Sequence, residues 1–164
     1  MLNMKKGSTL FLKIIILLIG VIAIATLIRF PQTEGRAANL DLVSIYKDPF
    51  IIYIYIASIS FFIGLYQAFK LLNFIEANKA FSQDAINTLK NIKLASISLI
   101  GFIAFALFYI RFLAPHSIDD DPAGPTALGI IVSLAVAAIA TAAAVAQKLL
   151  QNAVDIKSEN DLTV

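Results

Sequence analysis

The sequence predicts an all-α integral membrane bundle of four transmembrane helices, with the N-terminus and the C-terminus both in the cytoplasm. Three observations predict it. Hydrophobic residues make up 59% of the 164-residue chain and charged residues only 15%, against about a quarter charged in a soluble domain. A short chain buries only part of its surface on folding, so lipid rather than a soluble core must cover this much apolar area. Four long apolar stretches approach the roughly 20 residues that carry a helix across a bilayer core of about 30 Å. The basic residues between them fall mostly on one side, as they do in cytoplasmic loops.

The chain reads as one membrane domain, with helices expected at about 8–30, 49–71, 83–113 and 126–157. Outer loops are expected at about 31–48 and 114–125, a cytoplasmic loop at about 72–82 and a tail at 158–164. The first stretch is purely apolar only from about 14 to 28, and Lys13 and Arg29 extend it by laying their stems along the helix. Lys5 and Lys6 before an apolar run resemble the start of a secretory signal. The run is long, however, and Arg29, Phe30 and Pro31 close it without a small-x-small cleavage site, so a retained signal-anchor helix is expected. Pro31 lacks an N–H and is expected to end this helix.

Asp48 and Pro49 open the second helix with a capping residue and a first-turn proline. Ser82 caps the third, with Asp84 in its first turn, and Ala114-Pro115 closes it. The fourth begins near Pro125-Thr126, behind Asp119, Asp120 and Asp121, whose carboxylates suit the positive end of a helix. A β-barrel is excluded because its strands alternate apolar and polar residues over about ten positions. Runs such as IIILLIGVIAIATLI are apolar on every face, and in lipid such a run satisfies its backbone as a helix.

Orientation follows from the loops. Lys5, Lys6, Lys13, Lys70, Lys79, Lys90, Lys93, Lys148 and Lys157 fall on the side of the N-terminus, the central loop and the tail, whereas Arg29, Arg36, Lys47 and Arg111 fall on the other. The nine-to-four bias places the first set in the cytoplasm and predicts a multi-pass protein of the cell membrane. In the fourth helix Gly129, Ser133, Ala137 and Thr141 recur at every fourth position and form a packing stripe; Ala138, Ala142 and Ala146 form a second. Small residues allow the close helix contacts on which association in lipid relies. The stripes are expected to pack within the bundle, and they also permit a homodimer.

Little in the chain points to chemistry. Cysteine is absent and the net charge is only +2, so no thiol or disulfide chemistry and no direct nucleic-acid binding are expected. The polar residues inside the spans (Tyr53, Tyr55, Ser58, Ser60, Tyr66, Gln67, Ser96, Ser98, Tyr109, Thr141 and Gln147) are all uncharged. An ion-coupled transporter usually places an ionisable group at mid-membrane, so transport is disfavoured. His116, Ser117 and Asp119 to Asp121 share an outer loop. Their oxygen donors suit a hard divalent cation, but a solvated acidic loop is the expected reading. A hydrolytic triad would have to converge across a folded cavity, which this short run does not do. No catalytic residue, cofactor or metal is expected, and the chain does not read as an enzyme.

The loop KLLNFIEANKAFSQDAINTLKNIK, residues 70–93, mixes lysines with Phe74, Ile75 and Phe81 and suits a helix at the headgroup level. The tail is polar at Ser158, Glu159, Asn160 and Asp161 and ends apolar at Leu162 and Val164, a pattern that an extended groove captures. Asp155, Glu159, Asp161 and the terminal carboxylate of Val164 are candidates to dock on the basic loop.

These segments carry a resemblance. KKGSTLFLK (5–13), QAFKLLNFIEANKAFS (67–82) running into LKNIK (89–93), and AQKLLQNAVDIKSENDLTV from Ala146 resemble the bacterial membrane proteins catalogued as domain of unknown function 2975. The likeness spans almost the whole chain and departs mainly in the outer loops. It implies a four-helix membrane protein without assigned enzymatic activity. Members of such families often sit beside a gene for a small helix-turn-helix regulator, so the resemblance implies, by association, a membrane partner of such a regulator.

The expected function is therefore a membrane-anchored binding partner or modulator of a cytoplasmic helix-turn-helix transcriptional regulator. Partner contacts are expected at Phe74, Ile75, Lys79, Phe81, Glu159, Asp161, Leu162 and Val164. The alternative is a self-contained envelope stress or immunity-type protein, whose active surfaces are the helices in the lipid bilayer and the outer loops.

Overall fold

The computed structural model of the chain describes residues 6–33, 41–113 and 123–161. The elements are α1 (Lys6–Thr33), α2 (Leu42–Tyr46), α3 (Pro49–Glu76), α4 (Gln83–Phe108), a π-helical turn (Tyr109–Leu113) and α5 (Ala123–Asp161), with no strand among the described residues. Four segments are long and apolar enough to cross a membrane: Gly7–Arg29, Pro49–Glu76, Gln83–Leu113 and Ala123–Glu159. The chain divides into two compact units, Met1–Ala80 and Phe81–Val164.

In the first unit α1 and α3 pack antiparallel, joined at one end by Lys13 and Glu76 and at the other by Tyr55 and Leu27. Contrary to expectation, α1 does not stop at Pro31 but runs on to Thr33. A proline in the last turn removes only one i→i−4 bond, the one to Leu27. The carbonyl oxygen of Leu27 instead accepts from the hydroxyl of Tyr55 at 3.0 Å, and the next carbonyl, of Ile28, accepts from Tyr46 at 3.1 Å. The two tyrosine rings lie 6.5 Å apart in a stacked arrangement, and Pro31 is fully buried.

Helix α3 starts where sequence reasoning places it. Asp48 accepts from the N–H groups of Phe50 at 2.7 Å and Ile51 at 3.3 Å, with Pro49 in the first turn. Its far end differs: the helix continues to Glu76, five residues past the expected stop near 71. Lys70 and Asn73 end the apolar run without ending the helix. The stop is Asn78, whose φ of 56° is left-handed. Lys79 N–H donates to Phe74 O at 2.8 Å and Asn78 N–H to Ile75 O at 3.1 Å, the bond pair of a Schellman motif. The short α2 falls where a loop was expected.

In the second unit α4 packs against α5. Ser82 caps α4 by accepting from Ala85 N–H at 3.3 Å, and Asp84 lies in its first turn. The seam follows a heptad repeat. On α4 it runs through positions 85, 89, 92, 96, 99, 103 and 106, and on α5 through 126, 129, 133, 136, 140, 143, 147, 150 and 154; every one of these is buried or half-buried. Alternating steps of three and four keep one side of each helix on its neighbour. Helix α5 is 39 residues long, roughly 58 Å at about 1.5 Å per residue, against a hydrocarbon core of about 30 Å. It also outlasts the expected end at 157. Gln151 Nε2 donates to Asp155 Oδ1 at 2.9 Å and Ser158 Oγ donates to Asp155 O at 2.7 Å, so polar pairs one turn apart sustain the last turns.

Candidate functional site

The expected contact residues fall on both units. In the first, Phe74 and Ile75 are half-buried on the last turn of α3, and Lys79 is exposed beyond its stop. The surrounding charge is organised by aromatic rings. Lys13 pairs with Glu76 and lies 5.6 Å from the centre of the Phe69 ring, while the ammonium of Lys70 lies 5.7 Å from that of Phe74. Such placement over a ring face stabilises a cation. Glu76 also sits at the C-terminal end of α3, so the helix dipole favours the lysine that meets it.

In the second unit Phe81 directly precedes the Ser82 cap. A hydrophobic residue at that position commonly packs against the fourth helical residue, here Ile86, which is 2% exposed. Phe81 nonetheless stays 66% exposed and keeps most of its ring surface open. Lys93 Nζ donates to Gln147 Oε1 at 3.1 Å across the α4–α5 seam. Glu159 is exposed near the end of α5. Asp161 closes the helix, and Leu162 and Val164 lie outside the described residues, as do His116, Ser117 and Asp119 to Asp121. The proposed docking of tail on loop therefore involves residues beyond those described.

The packing stripe differs from the four-residue spacing expected. Gly129, Ser133 and Ala137 are half-buried on the α4 side, but Thr141 is exposed and donates to its own Ala137 carbonyl at 2.8 Å. A row of every fourth residue drifts about 40° per step around a helix of 3.6 residues per turn. After three steps it has left the seam, and Ala140 and Ala143 are buried instead. Helix α5 comes close to α4 at Gly129: a Cβ there would stand 2.6 Å from Leu107 Cδ2 and 3.1 Å from its Cγ. The second expected stripe also turns away from α4, with Ala138 and Ala142 exposed and Ala146 half-buried.

Among the polar residues of the spans, Tyr55 donates to Leu27 O, Ser58 donates to Tyr55 O at 2.7 Å, and Ser96 is buried. Gln67 Oε1 is buried without a hydrogen-bond partner. No group of three or more His, Cys, Asp or Glu able to hold a metal occurs among the described residues.

Residues 31–164 match the family model described as "Protein of unknown function (DUF2975)". The chain belongs to this family. It is similar to a protein of Bacillus subtilis (strain 168) described as "Uncharacterized membrane protein YoaS", with 43% identity over 163 residues that cover 98% of this chain and 100% of the relative. No solved structure matches. With four membrane-length helices and a membrane-protein relative, the DUF2975 chain is a multi-pass membrane protein. Sequence reasoning missed the pairing of Tyr46 and Tyr55 with α1 and the stop at Asn78; for the latter, the Ala77-Asn78-Lys79 run was the available signal.

Proposed function

We propose that this DUF2975 protein is a membrane-anchored binding partner, or modulator, of a small cytoplasmic regulator of the helix-turn-helix class. The observation that carries the reading is Phe81, 66% exposed at the start of α4 although a buried neighbour is available to it. Exposed aromatic anchors supply a large share of binding energy in protein interfaces. Lys79, two residues before it, adds charge, and Glu159 offers a second contact near the end of α5.

The reading takes the N-terminus, the connector of residues 77–82 and the C-terminus as cytoplasmic, supported by nine lysines against four basic residues on the other side. The resemblance supplies the partner class. The reading assigns the chain no catalytic role and no cofactor.

The test is purification of the full chain from its native membrane after mild crosslinking, beside a chain lacking residues 158–164 and a Phe81→Ala chain. A small helix-turn-helix protein should be enriched with the full chain, at least tenfold less with Phe81→Ala, and lost with the truncation. Recovery of lipid and copies of the chain alone would remove the regulator from the proposal.

A further inference from the structure

Helix α5 carries a second heptad seam. Positions 128, 131, 135, 138, 142, 145, 149, 152 and 156 repeat the spacing of the α4-facing seam of α5, displaced by two residues. Two residues turn a helix by roughly 200°, so the second seam lies on the opposite face. All nine positions are exposed, eight of them are apolar, and the ninth is Asn152.

Lipid accounts for only part of this seam. About 20 residues span the hydrocarbon core, which carries α5 from its start to about Ala146. Gln147 and Lys148 follow, and from there every exposed residue up to Glu159 other than Leu149 and Ile156 is polar or charged. Leu149 is nonetheless 64% exposed and Ile156 61% exposed, both in register with the part inside the membrane. Acyl chains do not reach this segment, and water disfavours two large aliphatic side chains on one face.

We propose that the outer seam of α5 pairs with the same seam of a second copy of this chain, the two helices running parallel. Copies inserted into one membrane share one orientation, so a two-fold axis along the membrane normal sets identical helices side by side in parallel. Asn152 then meets Asn152 of the second copy. A single polar residue on a seam is satisfied by itself in a parallel in-register pair and selects that register. An antiparallel pair centred on Ala142 would instead place Asn152 opposite apolar positions inside the lipid.

The flanks agree with the parallel pair. Lys148 and Asp155 line one side of the outer seam and Ala146 and Ala153 the other, so crossing from one side to the other brings no like charges together. Asp155 is already engaged by Gln151. Within the membrane, Ala135, Ala138 and Ala142 allow the backbones to approach closely.

The chain contains no cysteine, so single thiols report directly. In native membranes, Val145→Cys, Leu149→Cys and Ile156→Cys should each give a disulfide-linked dimer on copper-phenanthroline oxidation. The yield should be at least tenfold above that of Gln147→Cys and Leu150→Cys on the α4-facing seam. Adding Leu149→Glu and Ile156→Glu to the Val145→Cys chain should abolish its link. Maleimide labelling after solubilisation checks that every thiol is present and reduced. Equal linking at both seams would overturn the proposal. So would Leu149→Cys and Ile156→Cys chains that stay monomeric, whether their thiols react freely with maleimide in the membrane or are protected by the first unit of the same chain. A Val145→Cys link that survives both glutamates would overturn it as well.

Discussion

The two units hold a pair of membrane helices together in different ways. In the first, α1 and α3 are fastened near their ends, by Lys13 with Glu76 and by Tyr55 with the Leu27 carbonyl one turn before Pro31, where Tyr46 of α2 also bonds the Ile28 carbonyl. Large side chains along α1 such as Leu17, Ile22 and Ile24 stay at least half exposed. In the second, α4 and α5 meet along a continuous heptad seam, on which Ala140 and Ala143 of α5 and Ala85, Leu89 and Ile92 of α4 are buried. Apolar contacts gain little from association in lipid, so a pair needs either polar bonds or close backbone approach. The first unit relies chiefly on bonds, and the second chiefly on approach beside its Lys93–Gln147 bond. Substitutions at bonded atoms should therefore disturb the first unit, and changes of volume the second.

The largest effect is expected at Gly129. A Cβ there stands within 3.2 Å of three Leu107 side-chain atoms, and overpacking of this kind costs about 1–3 kcal/mol. Gly129→Val should lower the midpoint of sodium dodecyl sulfate unfolding of the detergent-solubilised chain, followed by circular dichroism. Leu107→Ala in the same chain should restore part of the loss, because the two changes share one volume. If Gly129→Val leaves the midpoint unchanged, close approach does not hold the second unit.

Next comes the tyrosine end of the first unit. Tyr55→Phe removes the donor to Leu27 O, a carbonyl that Pro31 deprives of its helical partner. Interhelical hydrogen bonds in membranes average about 0.6 kcal/mol with a maximum near 1.7. An acceptor left without its helical donor places this loss at the upper part of that range, about 1 kcal/mol. Pro31→Ala returns an N–H to the helix, so the cost of Tyr55→Phe should shrink in that background. Equal costs in both backgrounds would separate the tyrosine from the proline.

How much of this was legible depended on range. Asp48-Pro49 and Ser82 announce helix starts within a few residues, and both caps form as the sequence predicts. Span number followed from length and hydropathy. Helix ends were harder, because the sequence marks where lipid stops and a helix continues into water: α3 passes Lys70 and Asn73 and ends at Glu76, closed by the left-handed Asn78. Pro31 was read by its local rule, yet Tyr55, 28 residues beyond the Leu27 carbonyl it bonds, supplies what the proline removes. No local pattern encodes such a pairing. Phe81, Phe74 and Ile75 were legible as apolar residues outside the purest spans, but their difference in exposure required the fold. The stripe beginning at Gly129 was legible in composition, but a row of every fourth residue drifts around the helix, so that Thr141 is exposed.

The ion-pair end of the first unit should matter less. The Lys13 and Glu76 side chains are 17% and 37% exposed, so solvent and salt screen their attraction, and exposed pairs contribute about 0.2–1 kcal/mol. Glu76→Gln should cost about 0.5 kcal/mol in the same unfolding assay. The cost should fall as sodium chloride is raised from low to near-molar concentration, as the Debye length contracts from about 30 to 3 Å. A cost indifferent to salt would mean that Lys13 is held by the Phe69 ring rather than by the carboxylate.

The smallest effect tests whether a fastened unit tolerates a flaw between its clasps. Gln67 lies in the α3 span, and its carboxamide oxygen is buried without a partner. A closely packed seam leaves little room for such an atom, whereas a pair held at its ends does not depend on the residues between them. Replacing an unsatisfied polar group with an apolar one of similar size is neutral or stabilising. Gln67→Leu should therefore raise the unfolding midpoint slightly, by a few tenths of a kcal/mol. A loss of stability would mean that Gln67 contributes to holding α1 and α3 together, and the first unit would then be bonded along its length as well as near its ends.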